Sequence, residues 1–271
     1  SDITSDVAEE LGVTVVPLYV RFGEEIYRDR VEITCEEFYK RLVSEPNLPS
    51  TTQPTPNDFL QVYEKLAEET DEILVIVVSS KLSGTYQSAT QAKAMVKGRC
   101  RIQVVDSLNV AMGEGLIVAS VAKAVKAGAN LDAATELTRQ AVPRSHLVAY
   151  FDTLKYLAKG GRIGKASGLV GSLLSVKPIL TVKEGEMAPL TRVRSLSAGL
   201  DFLYQFTAGF GNNIEGLAVE HATTPDDADR LVERLGKIFP KERIRRSVIS
   251  PVVGTYSGPN ALALTVLEAG K

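Results

Sequence analysis

At 271 residues, 44% of them hydrophobic and 24% charged, the chain has the composition of a globule with material for one large or two ordinary domains. Its formal net charge of −2, with no basic tract, offers no general attraction to a phosphate backbone and sets nucleic-acid binding aside. Cys35 and Cys100 lie far apart and suit free thiols in a reducing cytosol, while His146 and His221 cannot build a metal site alone.

The chain opens on the turn-like polar string Ser1-Asp2-Ile3-Thr4-Ser5-Asp6 with no strand before it, and the pattern expects a first strand ahead of that string. No charged segment followed by an apolar run directs the chain to export. Residues 13–20 read as an apolar strand. A helix is predicted from Thr34, with Glu37 at the capping-box spacing, and another from Thr55-Pro56, with proline where its missing N–H is harmless. The apolar run 73–78 then empties into Ser79-Ser80-Lys81-Leu82-Ser83-Gly84-Thr85 and a helix over 85–97. A strand at 102–105 and helices at 114–127 and 132–142 complete this half. Strands alternating with helices predict a parallel sheet covered on both faces, an α/β domain over residues 1–145.

Pro143-Arg144-Ser145 is the expected boundary. Beyond it come a strand at 146–151, a short helix at 153–159 ended by Gly160-Gly161, and another short helix at 168–175. Segments 178–183 and 187–194 flank Glu184-Gly185-Glu186 as a hairpin. A helix at 197–210, a strand at 216–220, a helix at 225–239, a strand at 247–253 and a final helix from Gly258 follow. Hairpins mixed with helices predict an α+β domain over 146–271 with a mixed or antiparallel sheet. The most apolar stretch, 168–182, is interrupted by Ser172, Ser175, Lys177 and Pro178 and falls short of the roughly 20 residues of a spanning helix.

Three loops carry the candidate chemistry. The strand-to-helix junction at 79–85 brings hydroxyls to unpartnered N–H groups at a helix start, where an anionic head group is favoured; the same residues would also serve simply to make the turn. Leu48-Pro49-Ser50-Thr51-Thr52-Gln53-Pro54-Thr55-Pro56 is stiffened by its prolines, so its hydroxyls can be held ready for a ligand, or it is a plain connector capped by Thr55. In an α/β half, both loops would belong to the crevice at the strand ends where ligands bind. Gly160-Gly161-Arg162-Ile163-Gly164-Lys165 fails as a nucleotide P-loop, because only three residues separate Gly160 from Gly164 and Ala166 follows Lys165. It leaves Arg162 and Lys165 as cations for a carboxylate or phosphate, or for solvent. No nucleophile elbow is present and Ser83 has no evident histidine partner, so the residues favour binding an anion over transforming one.

Taken together, Asp2-Ile3-Thr4-Ser5-Asp6, Pro49-Ser50-Thr51-Thr52-Gln53-Pro54, Ser79-Ser80-Lys81-Leu82-Ser83-Gly84-Thr85-Tyr86, Leu154-Lys155-Tyr156-Leu157-Ala158-Lys159-Gly160-Gly161-Arg162-Ile163, Lys177-Pro178-Ile179-Leu180 and Gly254-Thr255-Tyr256-Ser257-Gly258-Pro259 resemble the DegV family in order and spacing, across essentially the whole chain. The resemblance implies a two-domain cytoplasmic protein, without catalytic residues, metal or cofactor, that encloses one long-chain fatty acid. It further implies presentation of that acid to a separate ATP-binding fatty acid kinase subunit, carriage of the acyl phosphate toward phospholipid synthesis, and transient contact with a membrane surface. Carried over by position, Thr51, Thr52, Ser83 and Gly84 would hold the carboxylate, with Arg162, Arg194 and Tyr256 at the mouth or in contact with the partner. A 16-carbon chain represents on the order of 12 kcal/mol of hydrophobic transfer, so it needs an enclosed apolar tunnel, for which residues 169–174 and 179–182 are candidate walls. Two positions depart from the pattern. Tyr256 stands where kinase-coupled members commonly carry histidine, and a phenol can donate a hydrogen bond without being cationic; Ile3 replaces a hydroxyl residue in the opening motif. The competing expectation, from the relation of the first domain to dihydroxyacetone kinases, is an enzyme on a small phosphorylated or keto substrate. That chemistry would want a covalent histidine in the site. A lipid-responsive sensor that regulates a partner would share the pocket of the carrier.

Overall fold

The computed structural model describes residues 1–169 and 176–270. Helix α1 (Ser5–Leu11) leads to an antiparallel hairpin, β1 (Tyr19–Phe22) and β2 (Glu25–Arg28). Helix α2 (Cys35–Ser44) starts where Thr34 Oγ1 accepts from the Glu37 N–H at 3.1 Å. After β3 (Ser50–Thr52), α3 (Pro56–Ala67) opens with a full capping box: Thr55 Oγ1 accepts from the Asp58 N–H, and the Asp58 carboxylate accepts from the Thr55 N–H. There follow β4 (Glu72–Val77), α4 (Thr85–Met95), β5 (Arg101–Asp106), α5 (Met112–Lys126) and α6 (Leu131–Ala141).

The second half runs β6 (Ser145–Tyr150), α7 (Lys155–Lys159), β7 (Lys177–Lys183), β8 (Glu186–Val193), α8 (Leu196–Ala208), β9 (Ile214–His221), α9 (Pro225–Leu235), β10 (Ile244–Val248), α10 (Pro251–Ser257) and β11 (Leu262–Glu268). Its six strands form one mixed sheet in the order β10-β9-β11-β6-β7-β8, parallel only between β10 and β9. In the first half β4 and β5 pair in parallel, and β2-β1-β3 form a separate antiparallel sheet. The mixed α/β class matches expectation.

Several elements do not. The strand expected at 13–20 begins only at Tyr19, and its partners are antiparallel. Residues 13–16 have no ladder partner among the described residues, because apolar composition proposes a strand but cannot name its neighbour. A groove of about 310 Å³ separates this segment from β4, with Phe59 and Tyr63 of α3 and Val118 and Val121 of α5 among its walls. The strand expected at 247–253 stops at Val248. Ser250 Oγ then accepts from the Val253 N–H at 3.4 Å, and Pro251 sits at the first position of α10. The final helix expected from Gly258 is instead β11, paired on both sides, by β9 and β6. Leu and Ala favour helix locally, but a strand hydrogen-bonded along both edges and buried at every position but its last overrides that preference. Of the helix expected at 168–175, a 3-10 turn at Gly164–Leu169 is present, and residues 170–175 lie outside the described residues.

Side chains alternate across the central strands. One face of β6 and β11 sends Val148, Tyr150, Leu262 and Leu264 into a core closed by Leu200 and Leu203 of α8 and Leu231 of α9. The other face sends Leu147, Ala149 and Ala263 into a core shared with Val20, Phe22 and Phe38 of the first half.

Candidate functional site

A cavity of about 380 Å³ opens against that second face, within the size range of small-molecule sites. Both halves of the chain build its wall. Thr51, Thr52, Gln53, Leu82 and Ser83 contribute from the first half; Phe151, Leu157, Arg162, Met187 and Tyr256 contribute from the second.

At one polar group of this wall the two halves touch. Thr51 Oγ1 and Tyr256 Oη lie 2.5 Å apart, and the Arg162 guanidinium carbon is 5.0 Å from the centre of the Tyr256 ring. Arg162 donates to the Gly160 carbonyl at 2.8 Å and to the Leu82 carbonyl at 3.3 Å. Gly160 has to be glycine: a Cβ there would fall 2.4 Å from Tyr256 Cδ1. Among the described residues no carboxylate pairs with Arg162, so a half-buried cation faces the cavity with neutral partners only. Ser83 Oγ sits 2.8 Å from Thr85 Oγ1 at the start of α4, and Gly84 leaves room for the Gln53 side chain, whose amide oxygen a Cβ would approach to 2.3 Å. Gln53 in turn donates to Ser88 Oγ at 3.3 Å.

A second polar group is mostly acidic. Asp2 accepts from the Ser250 N–H at 3.0 Å and Asp29 from the Val252 N–H at 3.4 Å, both at the start of α10. Met112 N–H donates to Glu220 at 3.0 Å, and Glu114 lines the same cavity wall. Burial pushes the Asp29 carboxyl up to about 6 and moves those of Glu114 and Glu220 upward as well. The Ser1 ammonium, also on the cavity wall, pairs with the Glu114 carboxylate at 3.0 Å, so this group is a mixed cluster of one cation and several carboxyls. Between the two lies strain. Ala111, on the cavity wall, is held at φ 53° and ψ −136°, a conformation glycine adopts far more readily.

Of the residues singled out from the sequence, Thr51, Thr52, Ser83, Arg162 and Tyr256 line the cavity. Gly84 lies directly behind it, and Arg194 is exposed just past β8, outside the lining. Ile3 is buried in a third core with Leu116 and Ile117 of α5. The wall expected at 179–182 is a correction. Ile179 and Leu180 are buried, Ile179 in the core on the far face and Leu180 in the shared core, and none of 179–182 lines the cavity. Leu169 is buried in the shared core, and 170–174 lie outside the described residues. The residues missed are mostly apolar: Leu147, Ala149, Phe151, Ile249, Val253 and Ala263. For Leu147, Ala149 and Ala263 the one sequence signal is small residues alternating with large ones along a strand; Phe151, Ile249 and Val253 lie off the strands and carry none.

The model for a family described as "Uncharacterised protein, DegV family" matches residues 1–269. This chain belongs to the DegV family. Curated DegV relatives include a DegV domain-containing protein of Caldanaerobacter subterraneus subsp. tengcongensis, 33% identical over 96% of this chain and 93% of its own. Another, from Halalkalibacterium halodurans, is 36% identical over 95% and 92%. Among solved structures, a DegV family protein from Thermus thermophilus, described for its fatty acid binding, superposes with a TM-score of 0.89 at 32% identity, covering 98% of this chain and 96% of its own. DegV of Bacillus subtilis, described as a fatty acid binding protein, gives 0.88 at 29% identity over 98% and 95%. Among the described residues of this DegV chain, no cluster of three or more His, Cys, Asp or Glu side chains could hold a metal ion, and no helix is long and apolar enough to cross a membrane.

Proposed function

We propose that the protein binds one long-chain fatty acid in this cavity, its carboxylate beside Arg162 and the hydroxyls of Thr51, Thr52, Ser83 and Tyr256, with the backbone at Gly84 behind them. The observation that carries the reading is the half-buried Arg162 without an acidic partner, set at one polar group of an otherwise apolar cavity. Charge-assisted hydrogen bonds from a guanidinium are the strong kind for a carboxylate, and the remaining wall suits a hydrocarbon chain. The named function of the Thermus thermophilus and Bacillus subtilis relatives supports the same reading.

In this reading the protein is a cytoplasmic carrier. Residues 1–145 supply the hydroxyl loops and 146–271 act as the lid, and phosphoryl transfer belongs to a separate ATP-binding kinase subunit that meets the mouth near Arg162, Arg194 and Tyr256. Transient contact with a membrane surface would load and unload it. Neither histidine lines the cavity: His146 pairs with Glu268 at 2.9 Å, and His221 is buried at the end of β9. A covalent-histidine enzyme on a small keto substrate therefore draws no support from this wall.

The test is mass spectrometry of small molecules released by solvent from the purified protein, with direct binding of palmitate to Thr51→Ala/Ser83→Ala. A stoichiometric long-chain acid, and an affinity lowered about tenfold or more in the double variant, are expected. A protein that carries and binds no fatty acid overturns the reading; an unchanged affinity in the double variant overturns the head-group assignment.

A further inference from the structure

The cavity has a floor with an unusual composition. Side chains two apart along a strand share a face, so on the cavity side β6 presents Leu147 and Ala149, with Phe151 just past its end, while β11 presents Ala263 and is preceded by Ala261. Ala149 and Ala263 are direct cross-strand partners, whereas Leu147 stands opposite Thr265. Two methyl groups thus face each other near one end of the two central strands of the sheet, between the larger Leu147 and Phe151. Alanine is depleted in strands because it gives little to pack, and protein interiors are otherwise filled to crystal-like density. On the opposite face the same strands are filled by Val148, Tyr150, Leu262 and Leu264. The missing volume is therefore confined to the cavity side.

Resting on the fatty acid reading above, we propose that the Ala149–Ala263 pair is the notch in which the acyl chain lies across the cavity-side face of the central sheet, and that it sets the longest chain the protein accepts. The two methyls lie on neighbouring strands, whose backbones run about 5 Å apart, so one larger side chain at either position fills the notch. Each methylene denied burial weakens binding by about fourfold, because about 0.8 kcal/mol of transfer is lost with it. Leucine at position 149 or 263 adds three carbons to the wall and should exclude a comparable part of the ligand. The carboxylate end is untouched, since neither alanine belongs to the Arg162 group.

The test compares binding of acids of about 10, 12, 16 and 18 carbons to the full chain and to Ala149→Leu, Ala263→Leu and the milder Ala149→Val. The expected result is a loss of roughly tenfold to a hundredfold for the longest acids with little change for the shortest, smaller in Ala149→Val. An unchanged order of chain lengths overturns the notch, and so does an equal loss for all four acids, which would mark the pair as structural. Ala149→Val adds only two carbons and keeps the comparison readable if a leucine variant does not fold. If the unaltered protein binds acids but the variants keep its profile, the notch alone fails; if the unaltered protein binds no acid, it falls together with the fatty acid reading.

Discussion

The two faces of the strands β6 and β11 make a controlled contrast within one sheet. Toward α8 and α9 the positions are filled with Val, Tyr and Leu, and the result is a dense core. Toward the cavity the neighbouring positions carry alanine, and the result is open volume ringed by polar groups. The strands, their pairing and their depth in the molecule are the same on both sides. What separates a packed core from open volume here is side-chain volume at alternate residues, together with which loops reach the rim.

Truncation should break this contrast most strongly on the filled face. Leu264→Ala removes a fully buried side chain from the dense core and is expected to lower stability by about 2–5 kcal/mol in urea unfolding. Leu147→Ala, on the cavity side of the same sheet, should fall at or below the low end of that range, because part of its surface already lacks packed neighbours. Equal losses would erase the distinction between the faces.

Asp29 sharpens the comparison through pH. Its folded carboxyl is raised from 3.8 to about 6 by burial, so the folded state holds a proton that the unfolded chain releases first. Stability therefore falls as pH rises from about 4 to about 6 and stays lower above that. Asp29→Asn keeps an oxygen for the Val252 N–H and is expected to gain roughly 1–3 kcal/mol at pH 7, and almost nothing near pH 3.5, by denaturant unfolding at the two pH values. A gain that is the same at both would show that ionisation is not the cause. The smallest effect is expected at the rim. Tyr256→Phe removes the partner of Thr51 Oγ1 and should cost about 0.5–1.5 kcal/mol in stability of the empty protein, read by the same unfolding measurement.

The hydroxyl loops were legible because their signals are local. The Thr55 capping box, the Pro-stiffened 48–56 segment and the Ser83-Gly84 junction depend on residues within a few positions of one another. The hairpin about Gly185 was legible for the same reason, with its turn residue at φ 82°. The cavity floor was not. Ala149 and Ala263 are separated by more than a hundred residues, and only the antiparallel register of β6 with β11 makes them neighbours. The same long-range pairing hid β11 itself, whose Leu and Ala read as helix until flanking strands decide otherwise. Arg162 was visible as a cation on a glycine-rich loop, but its lack of an acidic partner is a property of its surroundings, which no spacing along the chain reports.

The contacts that join the two halves at the rim also bear on time. Thr51 meets Tyr256, and Arg162 meets the Leu82 carbonyl, across some 200 and 80 residues of chain. A fatty acid bound as proposed would lie behind such bonds, and its departure would wait for the two halves of the wall to part. Its residence would then be governed by how often the protein opens, and a partner that docked on the rim and separated Tyr256 from Thr51 would hasten release without weakening the grip of the closed state.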